Sequence, residues 1–157
     1  MVETNVDLVS EQQKVFEPKI VAYCCQYCAY AAADLAGNLR IQCPANVKVV
    51  LAPCSGQVSE LNILEAFEAG ADGVYVAGCR PGDCHFLEGN LNAARRVRHL
   101  KSLLDQIGLD SERLEMYHLS SAEAQRFAQI ALEMTGRISR LGPNPLPRAN
   151  GKTVTKA

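Results

Sequence analysis

Four short apolar runs, separated by segments with helical periodicity, set the strongest limit on how this chain can fold. The runs cover residues 19–24, 47–52, 73–77 and, more weakly, 114–119. The first three are continuously apolar and rich in β-forming residues, whereas a half-buried strand alternates apolar with polar residues. This pattern predicts strands that are buried on both faces, as in a parallel sheet.

A helical segment follows each apolar run. The segment "AYAAADLAG" ends at Gly37, and "SELNILEAFEAG" has Ser59 as a candidate N-cap and Gly70 as a stop signal. The segment "GNLNAARRVRHLKSLLDQIG" has leucines at helical spacing. In the last segment Ser120 is followed three positions later by Glu123, which predicts a capping box at the start of a helix.

The resulting β-α-β-α-β-α-β-α order predicts an α/β fold. We expect a small, doubly wound, mainly four-stranded parallel sheet of flavodoxin-like type, with right-handed crossovers. Residues 18–141 form the predicted α/β domain. Residues 1–17 are predicted as a flexible lead-in, and residues 142–157, with three prolines and no periodicity, as a C-terminal tail.

Composition excludes several classes of function. The net charge of −1 at pH 7 argues against a dedicated nucleic-acid-binding protein, because such domains carry a basic excess. No apolar run reaches the roughly 20 residues that a membrane-spanning helix needs. The polar N-terminus also lacks the positive start and apolar stretch of a secretory signal. We therefore expect a cytoplasmic protein with no membrane span and no nucleic-acid partner.

Seven cysteines are the unusual feature of this composition. A reducing cytosol disfavours a disulfide framework, and an odd number of cysteines fits one poorly. Six of the seven end or follow predicted strands: Cys24, Cys25, Cys28, Cys54, Cys79 and Cys84. The carboxyl ends of parallel strands meet at the edge where α/β sheets bind ligands. Cys43 lies at the opposite edge, and we interpret it as a packed or surface thiol.

Two cysteine pairs have spacings that allow both sulfurs to reach one centre. Cys25 and Cys28 are separated by two residues in a strand–helix turn, and Cys79 and Cys84 by four residues in a glycine-containing loop. Arg80 adds a positive charge beside this loop, and positive potential favours the thiolate, which is the form that binds metals. Together with a fifth strand-end thiol, these pairs predict a shared metal centre.

The residues alone leave the chemistry of that centre open between iron–sulfur, zinc and thiol redox exchange. Both zinc and iron–sulfur clusters accept four thiolates. Structural zinc usually stabilises small domains that lack a hydrophobic core, whereas this chain is long enough to form such a core. Thiol exchange at Cys25 and Cys28 would leave Cys54, Cys79 and Cys84 without a role. These considerations favour iron–sulfur.

Four segments combine residues in a way that indicates a family: "VAYCCQYCAYAAADLAG", "APCSGQV", "AFEAGADGVYVAGCRPGDCHFLEGN" and "SSAEAQRFAQIALEM". They resemble the delta subunit of methyl-viologen-reducing hydrogenase, which is a small iron–sulfur protein associated with heterodisulfide reductase. The resemblance implies that residues 18–141 are an iron–sulfur domain with a 2Fe-2S cluster. It also implies electron transfer between a partner oxidoreductase (a hydrogenase, a formate dehydrogenase or similar) and the flavin-containing subunit of an electron-bifurcating, heterodisulfide-reductase-like complex.

The resemblance further implies a set of ligands. The family's five cysteines correspond to Cys25, Cys28, Cys54, Cys79 and Cys84. Because a 2Fe-2S cluster uses four thiolates, one of these five is spare. Cys28 is the weakest candidate, since a helical start would turn its side chain away. Family members often carry leucine in place of Cys24 and usually tyrosine in place of Cys43. The resemblance therefore argues against both of these cysteines as ligands.

Other residues near the predicted centre have less specific interpretations. His85 follows a predicted ligand, and we expect it to form a supporting hydrogen bond or to pack, because Rieske-type ligation requires two histidines. Arg95, Arg96 and Arg98 form a basic cluster on the third predicted helix. This cluster is either a solvated face or a docking surface for an acidic partner.

The sequence as a whole predicts an electron-transfer protein with no bond chemistry of its own. A zinc-stabilised adaptor without redox activity is the alternative. A flavodoxin-like flavin-binding protein is disfavoured, because the turn "CCQYCAYAAAD" lacks a Ser/Thr/Gly-rich loop that could hold a phosphate.

Overall fold

The computed structural model describes residues 15–147. Within these residues four strands alternate with four α-helices, as the sequence predicts. The strands are β1 (Ile20–Cys25), β2 (Val47–Ala52), β3 (Gly73–Gly78) and β4 (Leu114–His118). The α-helices are α1 (Ala29–Asn38), α2 (Glu60–Glu68), α3 (Gly89–Gln106) and α4 (Ala124–Leu141). The predicted strands agree with these bounds to within one residue at each end.

The strands form one parallel sheet in the order β2-β1-β3-β4. This order matches the first four strands of the flavodoxin-like arrangement and confirms the predicted fold class. One of the two inner strands, β3, is buried along its whole length. That burial explains why its sequence is continuously apolar, since helices cover both faces of the sheet.

Alternate residues of β3 face two separate apolar layers. Tyr75 and Ala77 belong to the layer that α1 and α4 cover. Val74 and Val76 belong to the layer that α2 and α3 cover. Because successive side chains of a strand point to opposite faces, the sheet is fixed from both sides. Its carboxyl edge is thereby held on a rigid support.

Helix α2 begins as the sequence predicts, and helix α4 does not. Ser59 caps α2, and its hydroxyl and the Asn62 side chain form a capping box. The sequence predicts the same motif for Ser120 and Glu123. Instead the Glu123 carboxylate accepts a hydrogen bond from the Ser120 backbone amide, and α4 begins only at Ala124. The predicted capping box is therefore wrong, because the two residues form a turn before the helix.

The residues that follow α4 are held against the domain. Arg113 is buried and donates hydrogen bonds to the carbonyl oxygens of residues 141–143. The Asp72 carboxylate accepts from the backbone amides of Asn144 and Lys19, both at 2.8 Å. Buried polar groups of this kind need such partners. The predicted tail thus starts with an ordered segment. Most of it, and most of the predicted lead-in, lie outside the described residues.

The helices of this fold are amphipathic or short. Over residues 15–147, none of them is both long enough and apolar enough to cross a membrane.

Candidate metal centre

Three neighbouring strands deliver cysteines to one edge of the sheet. Cys25 is the last residue of β1, Cys79 directly follows β3, and Cys54 follows β2 after one intervening residue. Because β1 pairs in parallel with both β2 and β3, the three strand ends lie side by side. The structure therefore brings these three predicted ligands to the same place.

Cys25, Cys28 and Cys79 form a thiol triad, in which all sulfur atoms lie within 4.8 Å of one another. The Sγ atoms of Cys25 and Cys79 are 3.8 Å apart. Cys28 is the N-cap residue of α1, and its backbone amide donates to the Cys25 carbonyl oxygen at 3.3 Å. The expectation that a helical start turns Cys28 away is therefore wrong. The turn folds back on β1, and the helix start directs this thiol toward the others.

Cys54 and Cys84 form a second group, which we call the thiol pair. Both sulfur atoms lie beside Gly89. A Cβ atom built on Gly89 would overlap with Cys54 Sγ and would lie 3.3 Å from Cys84 Sγ. A Cβ atom on Gly56 would in turn lie 2.8 Å from the Cα atom of Gly89. The pair therefore fits only because both positions lack a side chain, a requirement that no local sequence pattern indicates.

All five predicted ligands are buried, and the most exposed of them, Cys84, has an exposed fraction of 9%. All are free thiols. Cys24 is also buried, in the apolar layer that α1 and α4 cover, but it is not a member of the thiol triad. Burial, and then the neighbouring Cys25, raise the pKa of Cys24 to about 12. Cys43 is exposed.

Hydrogen bonds within the thiol triad shift the pKa values of its members in opposite directions. The Cys28 thiol lowers the pKa of Cys25 to about 5, with help from the Tyr27 and Ser55 backbone amides and the Cys79 thiol, and against the effect of burial. The pKa of Cys28 is raised, because its proton is shared with Cys25 and because it is buried. The thiolate form of Cys25 is therefore favoured before any metal binds.

Two other thiols, Cys54 and Cys79, hold their protons more firmly than Cys25 does. Burial raises the pKa of Cys54, although the Gly56 amide donates to its sulfur atom at 3.3 Å and lowers the pKa in part. Burial likewise raises the pKa of Cys79. A metal that binds here must displace these protons, so metal affinity should increase with pH.

Two side chains fix the backbone of Cys79. The fully buried Asn90 donates its amide to the carbonyl oxygens of Cys79 and Arg80, at 2.9 and 2.8 Å. His118 Nδ1 lies 2.8 Å from the Cys79 carbonyl oxygen. Since a carbonyl oxygen only accepts, this nitrogen carries the proton. Neither residue is predicted from the sequence, although the place of His118 at the end of β4 was a usable signal.

Arg80 does not present a free charge to the cysteine loop. Its guanidinium group forms an ion pair with the Glu123 carboxylate. The pKa of Glu123 is lowered by the Ser120 backbone amide and then by Arg80. The predicted positive charge of Arg80 beside the cysteine loop is therefore offset by the carboxylate of Glu123, the residue that precedes α4.

The predicted basic cluster on α3 is divided in its contacts. Arg96 points inward and donates to the carbonyl oxygens of Gly56 and Val58, at 3.0 and 2.6 Å. These bonds hold the turn that contains Cys54 against α3. Only Arg95 and Arg98 are exposed. The cluster is thus smaller than the sequence suggests, because one of its members serves the fold.

His85 packs rather than pointing at the thiols as a free ligand. Its ring stacks on Tyr27, with the ring centroids 4.1 Å apart and an angle of 15° between the planes. Tyr27 lies between Cys25 and Cys28, whereas His85 follows Cys84. This stack therefore joins the two loops that carry most of the thiols.

A parallel α/β domain with five buried thiols at the carboxyl edge of its sheet belongs to a class of proteins whose donor set suits a metal that prefers sulfur. Comparison with known proteins gives the family. The model of the methyl-viologen-reducing hydrogenase delta subunit matches residues 20–142. The chain belongs to this family, as the sequence resemblance predicts.

Several relatives are similar over most of the chain. The vhu iron-sulfur subunit of the F420-non-reducing hydrogenase of Methanocaldococcus jannaschii is 47% identical over 130 residues, which cover 83% of this chain and 97% of the relative. The iron-sulfur subunit of the F420-non-reducing hydrogenase of Archaeoglobus profundus is 47% identical over 128 residues, or 82% of this chain and 93% of the relative.

One kind of relative is much longer. A subunit of the ferredoxin:CoB-CoM heterodisulfide reductase of Methanosarcina mazei, which we call the long reductase relative, is 42% identical over 126 residues. These residues cover 80% of this chain but only 16% of that protein. A domain homologous to this chain is therefore one part of a larger polypeptide in that organism.

The close packing around Gly89 predicts the effect of a single methyl group. We expect Gly89→Ala to destabilise the protein by about 1–3 kcal/mol, because the new Cβ atom overlaps with Cys54 Sγ and crowds Cys84 Sγ. Gly136→Ala in α4 is the matched control, since its Cβ atom meets no heavy atom closer than 3.8 Å. It should stabilise the protein by roughly 0.5–1 kcal/mol. Urea unfolding measures both, and equal stability of Gly89→Ala and wild type would contradict the packing described.

Proposed function

We propose that this chain is an electron-transfer protein that holds one 2Fe-2S cluster. It passes electrons between a partner oxidoreductase and the flavin-containing subunit of a heterodisulfide-reductase-like complex. The observation that carries the proposal is the convergence of the thiol triad and the thiol pair at one sheet edge. An all-sulfur donor set is typical of iron–sulfur clusters and of structural zinc.

The donor set fits a 2Fe-2S cluster, which takes four thiolates and therefore two for each iron. Cys54 and Cys84 form one natural pair of ligands, because both sulfur atoms lie against Gly89. Two members of the triad supply the other pair. The spare thiol is accordingly one of Cys25, Cys28 and Cys79, and not a member of the thiol pair.

The chain's own residues prepare the site for such a cluster, which supplies reversible one-electron transfer when bound. Burial keeps water from the sulfurs. The backbone amides of Tyr27, Ser55 and Gly56 donate to thiol sulfurs and so stabilise negative charge there. Asn90 and His118 hold the Cys79 backbone in place. The same supports would keep the site from rearranging when its charge changes.

The relatives support the choice of partners. Some are named as iron–sulfur subunits of hydrogenases, which favours a hydrogenase or a similar oxidoreductase on one side. Others are named as heterodisulfide reductase subunits and contain a homologous domain within one longer chain. We propose that a reductase subunit of that kind is the flavin-containing partner on the other side. A cytoplasmic location is part of this proposal, since thiols stay reduced there.

Metal analysis after anaerobic purification tests the proposed cofactor. We expect two irons and two acid-labile sulfides per chain, visible absorption from sulfur-to-iron charge transfer, and an S = 1/2 EPR signal after reduction by dithionite. A colourless protein with one zinc per chain would instead support the zinc-stabilised adaptor, because four of these thiols also suit zinc.

Single cysteine-to-serine variants test the ligand assignment. Cys54→Ser and Cys84→Ser should each lose most of the iron and the visible absorption, because the thiol pair has no substitute. Within the triad, one variant should keep its iron and thereby identify the spare thiol. Cys43→Ser is the matched control and should retain full iron content, since its side chain is exposed. Loss of iron in Cys43→Ser, or retention in Cys54→Ser and Cys84→Ser, would contradict the assignment.

A further inference from the structure

An exposed group of aromatic and apolar side chains covers the junction of the two cysteine loops. It consists of Tyr27, His85, Phe86 and Leu87, and we call it the aromatic cap. Tyr27 and His85 are stacked, and the ring of Phe86 meets both edge-on, at centroid distances of 5.9 and 5.0 Å. The cap is therefore one packed unit rather than four independent side chains.

The apolar side chains of the aromatic cap are unusually exposed to solvent. The exposed fraction is 44% for Tyr27, 50% for Phe86 and 83% for Leu87. Single exposed apolar residues are normal on protein surfaces, but contiguous groups of them mark interaction sites. Here they are contiguous, because the three rings touch and Leu87 follows Phe86 directly.

Leu87 is also held in an unfavourable backbone conformation. Its φ angle is 66°, in the left-handed region that leucine rarely adopts. Its amide donates to the Cys84 carbonyl oxygen at 3.0 Å, and the Glu88 amide donates to that of Phe86 at 2.8 Å. The strained backbone and the exposed apolar side chain of Leu87 both cost folding free energy. Strain of this kind is typical of functional sites.

The aromatic cap lies where a partner could come closest to the proposed cluster. Tyr27 is flanked in sequence by Cys25 and Cys28, and His85 follows Cys84. The thiols are buried, whereas the side chains of the aromatic cap, on the same two loops, are exposed to solvent. Since the rate of electron transfer falls steeply with distance, a partner gains most by binding at this surface.

The charges beside the cap describe the surface that would fit it. Asp83 and Glu88 are exposed on the same loop. Arg80, the basic residue of that loop, is engaged by Glu123. The cap therefore has an apolar centre with an acidic rim, and its complement is an apolar face with a basic rim.

We propose that the aromatic cap is the docking surface for the heterodisulfide-reductase-like partner. This inference rests on the proposed function. Two relatives indicate which partner binds there: the long reductase relative and its counterpart in Methanosarcina acetivorans. In both, a domain homologous to this chain shares one polypeptide with the rest of the reductase subunit, and so the two remain associated. The centre of a protein–protein interface is enriched in tyrosine and phenylalanine, and the cap supplies Tyr27 and Phe86 for it.

The variant Leu87→Asn provides the sharpest test. Asparagine tolerates the left-handed region, so the variant should fold at least as stably as wild type while it loses the apolar contact. The binding partner in the test is the purified protein of the same organism that is homologous to the long reductase relative. We expect the affinity for it to fall about tenfold or more, as in Phe86→Ala. Isothermal titration calorimetry with the cluster-loaded chain measures the affinity.

Ile107→Asn is the matched control. Ile107 is an exposed aliphatic residue, with an exposed fraction of 62%, and lies at the far end of α3 from the thiols. Its replacement should leave the affinity within about twofold of wild type, as for most residues outside a hot spot. An equal loss of affinity in this control would overturn the proposal, because the effect would not be specific to the cap.

The outcomes separate this inference from the proposed function. If wild type shows no iron–sulfur absorption, the proposed function fails, and this is seen before any partner is added. If the absorption is intact in Leu87→Asn and Phe86→Ala and both bind the reductase homologue as wild type does, the docking surface is wrong while the proposed function stands. Sedimentation that shows a dimer lost in Leu87→Asn would also overturn it, since a second copy would then occupy the cap.

Discussion

The parallel pairing of β1 with β3 is the interaction on which the candidate metal centre depends. Its register places Cys24 opposite Ala77, so the ends of the two strands are level and the cysteines that follow, Cys25 and Cys79, reach a sulfur–sulfur distance of 3.8 Å. A slip of one residue would send every side chain of a strand to the other face. Because both faces of β3 are buried, the core fixes this register and so fixes the spacing of the thiols.

Burial of several thiols in one place has a cost, and the loops around the site are shaped to offset it. Amide donors from the two strand-end turns reach the sulfurs of Cys25 and Cys54. The absence of a side chain at Gly89 makes room for the thiol pair. The same edge turns outward at Phe86 and Leu87, where apolar side chains are presented to solvent. A buried site with one exposed cover suits a carrier that meets partners without admitting water.

The sequence was sufficient for the order of elements and for the edge at which the cysteines gather, because both follow from local periodicity and from the rules of parallel sheets. It failed where contacts are distant in sequence. Arg80 pairs with a glutamate 43 residues away, and Arg96 reaches a carbonyl group 40 residues away. The direction of Cys28 and the role of Gly89 depend on how two loops meet, which no local pattern records.

A redox titration followed by EPR, on anaerobically purified protein, tests the central claim most directly. A single cluster held by four of the five thiols predicts one reversible transition that fits a one-electron Nernst curve, with one spin per chain when fully reduced. A transition that fits a two-electron curve would instead indicate a thiol–disulfide couple. That result, or the absence of any transition in a metal-loaded protein, would contradict the account.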